Sequence, residues 1–490
     1  MHKEYLEQLI AGEPLSGFLY TNEGTSSFRI PGCLTLNPNG QVVMKLILEE
    51  DSPIKAGIDK TTLAVVNGQT VPPQEIPQIG FFESIGGILT LIQTGSPFQW
   101  RHLVGRPIEF NFSPQYVVAG TLLEDYWKTP ASLRAEIGGL AQWMHDVHIT
   151  RSISLNSEKD ERTGNEKVRL ETIDFPSFRY KLNAPKTDQI ITIRPLKEHF
   201  RSRDTDEIGI RFRTVVETEN DSASTWEEFL HSLNRFQDLV NLLSWRSFTS
   251  SNLEGAFFQN PDNNLAFWEQ LGIEPPPPPT PVGPWLKLFN SQFPATFGSP
   301  KKRQSTEFIL PFADFNEESL TKWIQLREEK SHPLELFLQV INQPQMAPSV
   351  KALQLGAGLE SLGFKIREAK TSKKKADKLH ARQLFELVAE PALRIFPDEF
   401  ETWATDVNEA YQAMKHLNRK LPLTSKIAET NDRTSLIVQI WLANELGASD
   451  SSIKAYVQEQ PRLRSRYAKI PDPSFLHLDN TDEISTELRS

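Results

Sequence analysis

A single cysteine, Cys33, in a chain of 490 residues excludes any intrachain disulfide and any cysteine-based zinc site, and it fits a reducing compartment. Long apolar runs are missing too. The longest, such as Ile88–Ile92, fall far short of the roughly 20 residues a membrane-spanning helix needs. The N-terminus MHKEYLEQLI lacks the basic-then-apolar order of a secretory signal. These absences predict a cytoplasmic protein with no membrane partner. Positive charge is also short: 53 Lys and Arg against 63 Asp and Glu leave a net charge of -10. No global field therefore attracts nucleic acid, and any RNA contact must rest on a local basic patch. The sequence has no glycine-rich phosphate loop, no His-Glu-x-x-His and no Gly-x-Ser-x-Gly. His145 and His148 have metal-ligand spacing, but only Asp146 accompanies them, so they read as an ordinary polar pair. No metal and no cofactor are expected.

The chain is long enough for two or three domains. In its first half, two extended runs over Leu34–Leu48 flank Pro38-Asn39-Gly40, where Asn and Gly suit the positive φ of a tight hairpin turn. A second hairpin is predicted over Leu63–Val71. Further strands follow at Ile88–Gln93, Ile108–Phe112, Tyr116–Leu123, Ile190–Pro195 and Ile208–Glu217. This spacing predicts an antiparallel sandwich or barrel. Ser132–His145 reads as a helix or helical return, and KEHFRSRDTDE between the last two strands as a charged loop. Thr225-Trp-Glu-Glu228 has the form of a capping box, opening a helix with Phe229, Leu233, Phe236, Val240 and Leu243 on one face. That helix should pack back on the sheet.

Between Asn260 and Gly283 the composition turns to Pro, Asn and Gly, with five consecutive prolines from Pro275 to Pro279. Proline fixes φ and removes a donor, so this is a stiff spacer in preference to an SH3 or WW ligand. Beyond it the period becomes helical. Pro333–Gln343 is one helix; Ser349 caps another whose stripe is Ala352, Leu355, Leu359, Leu362 and Ile366, with Glu360 at its margin. Ala381, Leu384, Phe385, Val388 and Ala392 continue until Pro391 and Pro397 break the helix, and Asp398–Asn418 follows. There Trp403, Val407, Ala410, Tyr411 and Met414 form the buried face, while Thr405, Glu409, Gln412 and His416 form a polar stripe. His416 is the one member of that stripe able to exchange a proton near neutral pH. Asn431-Asp432 caps a last long helix, Arg433–Leu446, stopped by Gly447. Two basic clusters stand out: Lys373, Lys374 and Lys375, and Arg462, Arg464 and Arg466 beside Tyr467. The last twenty residues are polar and acidic, as in a disordered tail.

The order of these features is more specific than any one motif. GGILTL at Gly86–Leu91, LAQW at Leu140–Trp143, the helix WEEFLHSLNRFQDLVNLLS, LQLGAGLESL at Leu353–Leu362 and WLANELG at Trp441–Gly447 together resemble the Apea-like HEPN proteins. The resemblance spans residues 30–450. It implies a bacterial antiphage, abortive-infection protein of α+β multidomain fold, with a β-rich domain (1–255) closed by a helix, a Pro-rich linker (256–315), an all-α HEPN bundle (316–470) and a tail (471–490). It also implies a metal-independent endoribonuclease with the motif Arg-Asn-x-x-x-His, or more loosely Arg and His with four to six residues between them, paired across a homodimer and controlled by an N-terminal domain that senses a phage-derived trigger.

Arginine's fork suits phosphate oxygens, and histidine's pKa suits removal of the ribose 2′ proton. Laid on this chain, the motif falls on Tyr411, Gln412 and His416: the histidine is in place, while Tyr411 and Gln412 stand where Arg and Asn belong. Lys415 and Arg419 are then the nearby cations for phosphate, and the two basic clusters would extend the RNA contact. Arg327-Glu-Glu-Lys-Ser-His332 fits the loose pattern literally, but it lies before the bundle's first helix and reads as coincidence. Two alternatives stand beside the nuclease: an inactive HEPN-like module for dimerisation or RNA binding, and a carbohydrate- or peptide-binding β-domain with a helical adaptor.

Overall fold

The computed structural model describes residues 8–23, 26–37, 41–48, 79–84, 87–92, 99–102, 108–120, 130–144, 154–159, 166–171, 177–184, 187–201, 208–220, 225–257, 285–290, 292–293, 307–416 and 418–467. The chain divides into two compact units. The first comprises Met1–Asn241, Ser247–Thr306 and Phe315–Ile324; the second comprises Leu242–Arg246, Glu307–Asp314 and Gln325–Ser490. The α+β layout read from the sequence, an antiparallel β domain followed by a helical region, is the one observed.

The strands of the first unit are β1 (Leu15–Glu23), β2 (Ser26–Leu36), β3 (Val42–Leu48), β4 (Ile79–Ser84), β5 (Gly87–Ile92), β6 (Gln99–His102), β7 (Ile108–Phe112), β8 (Tyr116–Ala119), β9 (Ser132–Glu136), β10 (Ser154–Lys159), β11 (Glu166–Glu171), β12 (Phe178–Ala184), β13 (Thr187–Arg201), β14 (Ile208–Asn220), β15 (Ser251–Ala256) and β16 (Leu286–Phe289). Fourteen form one sheet in the order β12-β13-β14-β9-β15-β16-β8-β5-β4-β1-β2-β3-β7-β6, and β10 pairs with β11 alone. Strict alternation explains the burial. In β3, Val42, Met44, Leu46 and Leu48 are buried and pack with Leu19, Leu34, Phe82, Leu89 and Phe110 from neighbouring strands. The predicted hairpin forms, with Leu36 opposite Val42 and the Asn37 amide donating to the Gln41 carbonyl at 2.9 Å. Its turn residues 38–40, and the hairpin expected at Leu63–Val71, lie outside the described residues.

Three local expectations are corrected. Ser132–Glu136 is strand β9, not helix; only Leu140–Trp143 makes a single turn, α1. Leu133 and Ala135 face one side of the sheet and Arg134 and Glu136 the other, a period-two pattern that a three-to-four-residue reading of Leu133, Ile137 and Leu140 conceals. Of the charged stretch read as a loop, residues 197–201 belong to β13, which pairs with β14 from Gln189 opposite Asn220 to Arg201 opposite Ile208, while 202–207 lie outside the described residues. Backbone pairing with β14 holds that polar part extended. The Pro-rich residues 260–283 lie outside the described residues; within the 256–315 stretch, Leu286–Phe289 form β16, an interior strand joining β15 to β8.

Helix α2 (Trp226–Ser244) opens with the predicted reciprocal cap. The Thr225 amide donates to Glu228 Oε2 at 2.9 Å and the Glu228 amide to Thr225 Oγ1 at 3.3 Å. Its buried face, with Phe229, Leu233 and Phe236, returns to the sheet: Trp226 stacks on Tyr116 of β8 at 4.4 Å between ring centroids, and Ser232 Oγ donates to Gln189 Oε1 of β13 at 2.7 Å.

The helical region holds α3 (Glu317–Glu329), α4 (Ser331–Asn342), α5 (Pro348–Lys370), α6 (Lys373–Ala376), α7 (Ala381–Ile395), α8 (Pro397–Phe400), α9 (Trp403–Lys415), α10 (Thr424–Glu445), α11 (Asp450–Glu459) and α12 (Pro461–Tyr467). Its core follows the predicted stripes. Boundaries differ at four places. Ala347 flanks α5 and Pro348 occupies its first turn, where a missing donor costs nothing, so Ser349 lies inside the helix and does not cap it. Pro391 does not break α7, which runs on to Ile395. The helix expected over Asp398–Asn418 is two pieces, α8 and α9. Asn431 and Asp432 lie within α10, which starts at Thr424; buried Asn431 instead donates from Nδ2 to the Pro348 carbonyl at 2.8 Å, tying α10 to the start of α5. Gly447 is the stop that was expected. At φ +99° it lets its amide reach the Asn444 carbonyl and the Ala448 amide reach Ala443, satisfying two of the carbonyls the helix end leaves open. Among the described residues no helix is long and apolar enough to cross a membrane.

Candidate functional site

Tyr411 is the fixed point of the region marked out by sequence. It sits on the buried face of α9 with only 3% of its surface exposed, its ring set edge-on to Phe385 of α7 at 5.9 Å. Against its other side lies α5, and there the residue is Gly356. A Cβ on Gly356 would fall 2.3 Å from Tyr411 Cδ2, so the glycine is what lets the ring lie against the α5 backbone. The ring is therefore packed and leaves only its hydroxyl for polar work.

That hydroxyl donates to Glu360 Oε2 at 2.5 Å. Lys415, one turn further along α9, brings its Nζ to the same carboxylate oxygen at 3.4 Å and lies 4.7 Å from the centre of the Tyr411 ring. Burial first, and then the hydrogen bond to Glu360, push the Tyr411 phenol above its ordinary pKa, so it stays a donor at neutral pH. The Tyr411 hydroxyl and then the Glu360 carboxylate raise the pKa of Lys415, which stays an ammonium ion. One carboxylate oxygen thus serves a neutral donor and a cation, and the cation also has an aromatic face beneath it. Glu360 was legible only as a polar residue at the edge of the α5 stripe; its partners, 51 and 55 positions away, were not.

His416 is not on the polar stripe of α9. The helix ends at Lys415, and His416 is its C-cap with extended backbone, φ -126° and ψ 110°. Its amide still donates to the Gln412 carbonyl at 3.0 Å, and its carbonyl accepts from the Arg419 amide at 3.0 Å, which bends the chain back. His416, Arg419 and Lys420 are exposed; Gln412 is half-buried. The helix end therefore gathers Lys415, His416 and Arg419 within one turn, the cation at its start held by Glu360.

The other sequence candidates sit on other elements. Lys373, Lys374 and Lys375 are exposed on the single turn α6. Arg464 is exposed on α12, while the side chains of Arg462 and Arg466 lie outside the described residues. Arg327 and His332 do not precede the first helix of the region, as the sequence suggests, but are split between α3 and α4: Arg327 Nη2 donates to Glu335 at 2.9 Å, and His332 Nδ1 lies 3.3 Å from Ser361 Oγ. His145 and His148 lie outside the described residues.

Residues 15–323 match a family model described as ApeA N-terminal domain 1. The chain belongs to the ApeA N-terminal domain 1 family. The matched ApeA domain begins on the first residue of β1, takes in every described strand together with α1 and α2, and ends within α3. Membership associates the chain with antiphage defence. The Tyr411 site lies beyond the match. No curated protein and no solved structure matches the chain significantly.

Proposed function

We propose that this ApeA-family protein is an antiphage defence protein in which the N-terminal β domain senses an infection cue and controls a C-terminal HEPN-type bundle that acts on RNA without a metal. The supporting observation is the exposed end of α9, where His416 follows Lys415 directly and the chain turns back through Arg419. In the proposed chemistry His416 removes the proton of a ribose 2′-hydroxyl, the 2′ oxygen attacks the adjacent phosphorus, and the 5′ oxygen leaves. Lys415 and Arg419 face the charge that builds on the phosphate, in place of the arginine that Tyr411 replaces. Lys373, Lys374, Lys375, Arg462, Arg464 and Arg466 would extend the RNA contact, and a homodimer would supply a second His416 as the acid. Residues 1–255 would form the sensing module, 256–315 its connection and 316–470 the bundle.

A second reading, an RNA-binding or dimerising bundle without catalysis, draws support from Tyr411 itself. Its ring is packed and its hydroxyl is held by Glu360, so it offers no group for a phosphate. The two separate in one experiment: the purified protein is incubated with structured RNA in EDTA beside His416→Ala. Cleavage by the wild type alone supports the nuclease; RNA bound by both and cleaved by neither supports the second reading. Sedimentation of the same samples tests the dimer.

A further inference from the structure

We propose that Glu360 is a built-in electrostatic clamp on the anion site of this helix end, holding the Lys415 ammonium so that an RNA phosphate must displace the carboxylate to reach it. The inference rests on the reading above, in which the end of α9 meets RNA. Glu360 Oε2 takes both the Tyr411 hydroxyl, at 2.5 Å, and Lys415 Nζ, at 3.4 Å. The ammonium is confined between that oxygen and the Tyr411 ring, yet 43% of the Lys415 side chain and 37% of the Glu360 side chain are exposed, so a solvent-borne phosphate can reach both. The trio of Tyr411, Glu360 and Lys415 carries no net charge, and Lys415 therefore adds nothing to long-range attraction while the clamp is closed.

Anchoring keeps the clamp in register. Glu360 stands on α5, whose Gly356 and Gly363 are pressed against Tyr411 of α9 and the Leu384 backbone of α7. Tyr411 fixes the carboxylate by a bond that does not depend on charge, since an amide oxygen would accept from the same hydroxyl. Glu360→Gln therefore removes the negative charge that holds Lys415 and leaves the helix packing and the Tyr411 bond in place. An exposed ion pair of this kind contributes modestly, so its loss should tighten RNA binding by about three- to five-fold. One more phosphate engaged by a free ammonium should also steepen the salt dependence by about 0.7 in log–log slope.

The test is fluorescence anisotropy of a labelled single-stranded RNA with the full chain at several salt concentrations, using the wild type, Glu360→Gln, Lys415→Ala and the double variant, each first compared by thermal melting. Tighter, more salt-sensitive binding by Glu360→Gln, abolished by adding Lys415→Ala, is the expected result. Wild-type binding that Glu360→Gln leaves unchanged or weakens overturns the clamp and leaves the RNA reading intact. A gain that survives Lys415→Ala also overturns it. RNA binding by none of the four overturns both.

Discussion

Gly356→Ala is the most direct probe of how the site is held. The added methyl would lie 2.3 Å from Tyr411 Cδ2 and 2.6 Å from Cγ, closer than any Cβ contact in a real protein. The ring cannot simply retreat, because Phe385 stands at 5.9 Å and the hydroxyl is bonded to Glu360. Overpacking of this kind costs about 1–3 kcal/mol. Replacing a mid-helix glycine by alanine returns about 0.5–1 kcal/mol of helix propensity. The expected net is a loss of about 1–2 kcal/mol, read as a lower urea midpoint in equilibrium unfolding followed by helical circular dichroism. In a Tyr411→Ala background the same substitution should cost clearly less, since the two closest contacts, with Cδ2 and Cγ, are gone and the Tyr411 Cβ lies at 3.0 Å. A double-mutant cycle should give a coupling of about 1 kcal/mol. A Gly356→Ala protein as stable as the wild type, or effects that simply add, would refute the packing described for Tyr411 and with it the anchoring of Glu360 and Lys415.

Two further outcomes concern the ApeA domain. Burial pushes the phenols of Tyr116 and Tyr180 up to about 12 from an ordinary 10.0. Because the folded pKa is raised, their contribution to stability is complete below about pH 10 and is lost as pH climbs towards 12. Ultraviolet titration should show a late phenolate fraction that merges with the rest in denaturant; a single transition near pH 10 in the folded protein would contradict their burial. Thr225→Ala removes the acceptor for the Glu228 amide and should cost about 1 kcal/mol, seen as a lower urea midpoint. An unchanged midpoint would show that the cap contributes nothing.

Where local chemistry decides the outcome, the residues could be read directly. The capping box at Thr225–Glu228, the stop at Gly447 and the stripe of α5 each depend on atoms within a few positions of one another. Local pattern does not decide the structure where two periods overlap or where a distant partner intervenes. Ser132–Glu136 contains apolar residues that fit a helical step, and pairing with β14 and β15 makes it a strand. Asn431 has the chemistry of a cap, yet the Pro348 carbonyl takes its side chain and α10 runs on through it. At the site, the sequence marks Tyr411, Lys415 and His416 as neighbours; it does not mark Glu360, because the link between α5 and α9 is a tertiary contact.

Residue content and order alone determined that the chain has no intrachain disulfide, that a β-rich half precedes a helical half, and that a histidine and two cations stand close together late in the chain. Tertiary structure decided what those groups can do. It turned the Tyr411 ring inward against a glycine, gave its hydroxyl and the Lys415 ammonium one shared carboxylate, and put His416 past the last turn of α9. The physical reason is reach: helical period and capping are settled over about four residues, whereas a charge is set by whichever groups the fold brings within a few ångströms of it.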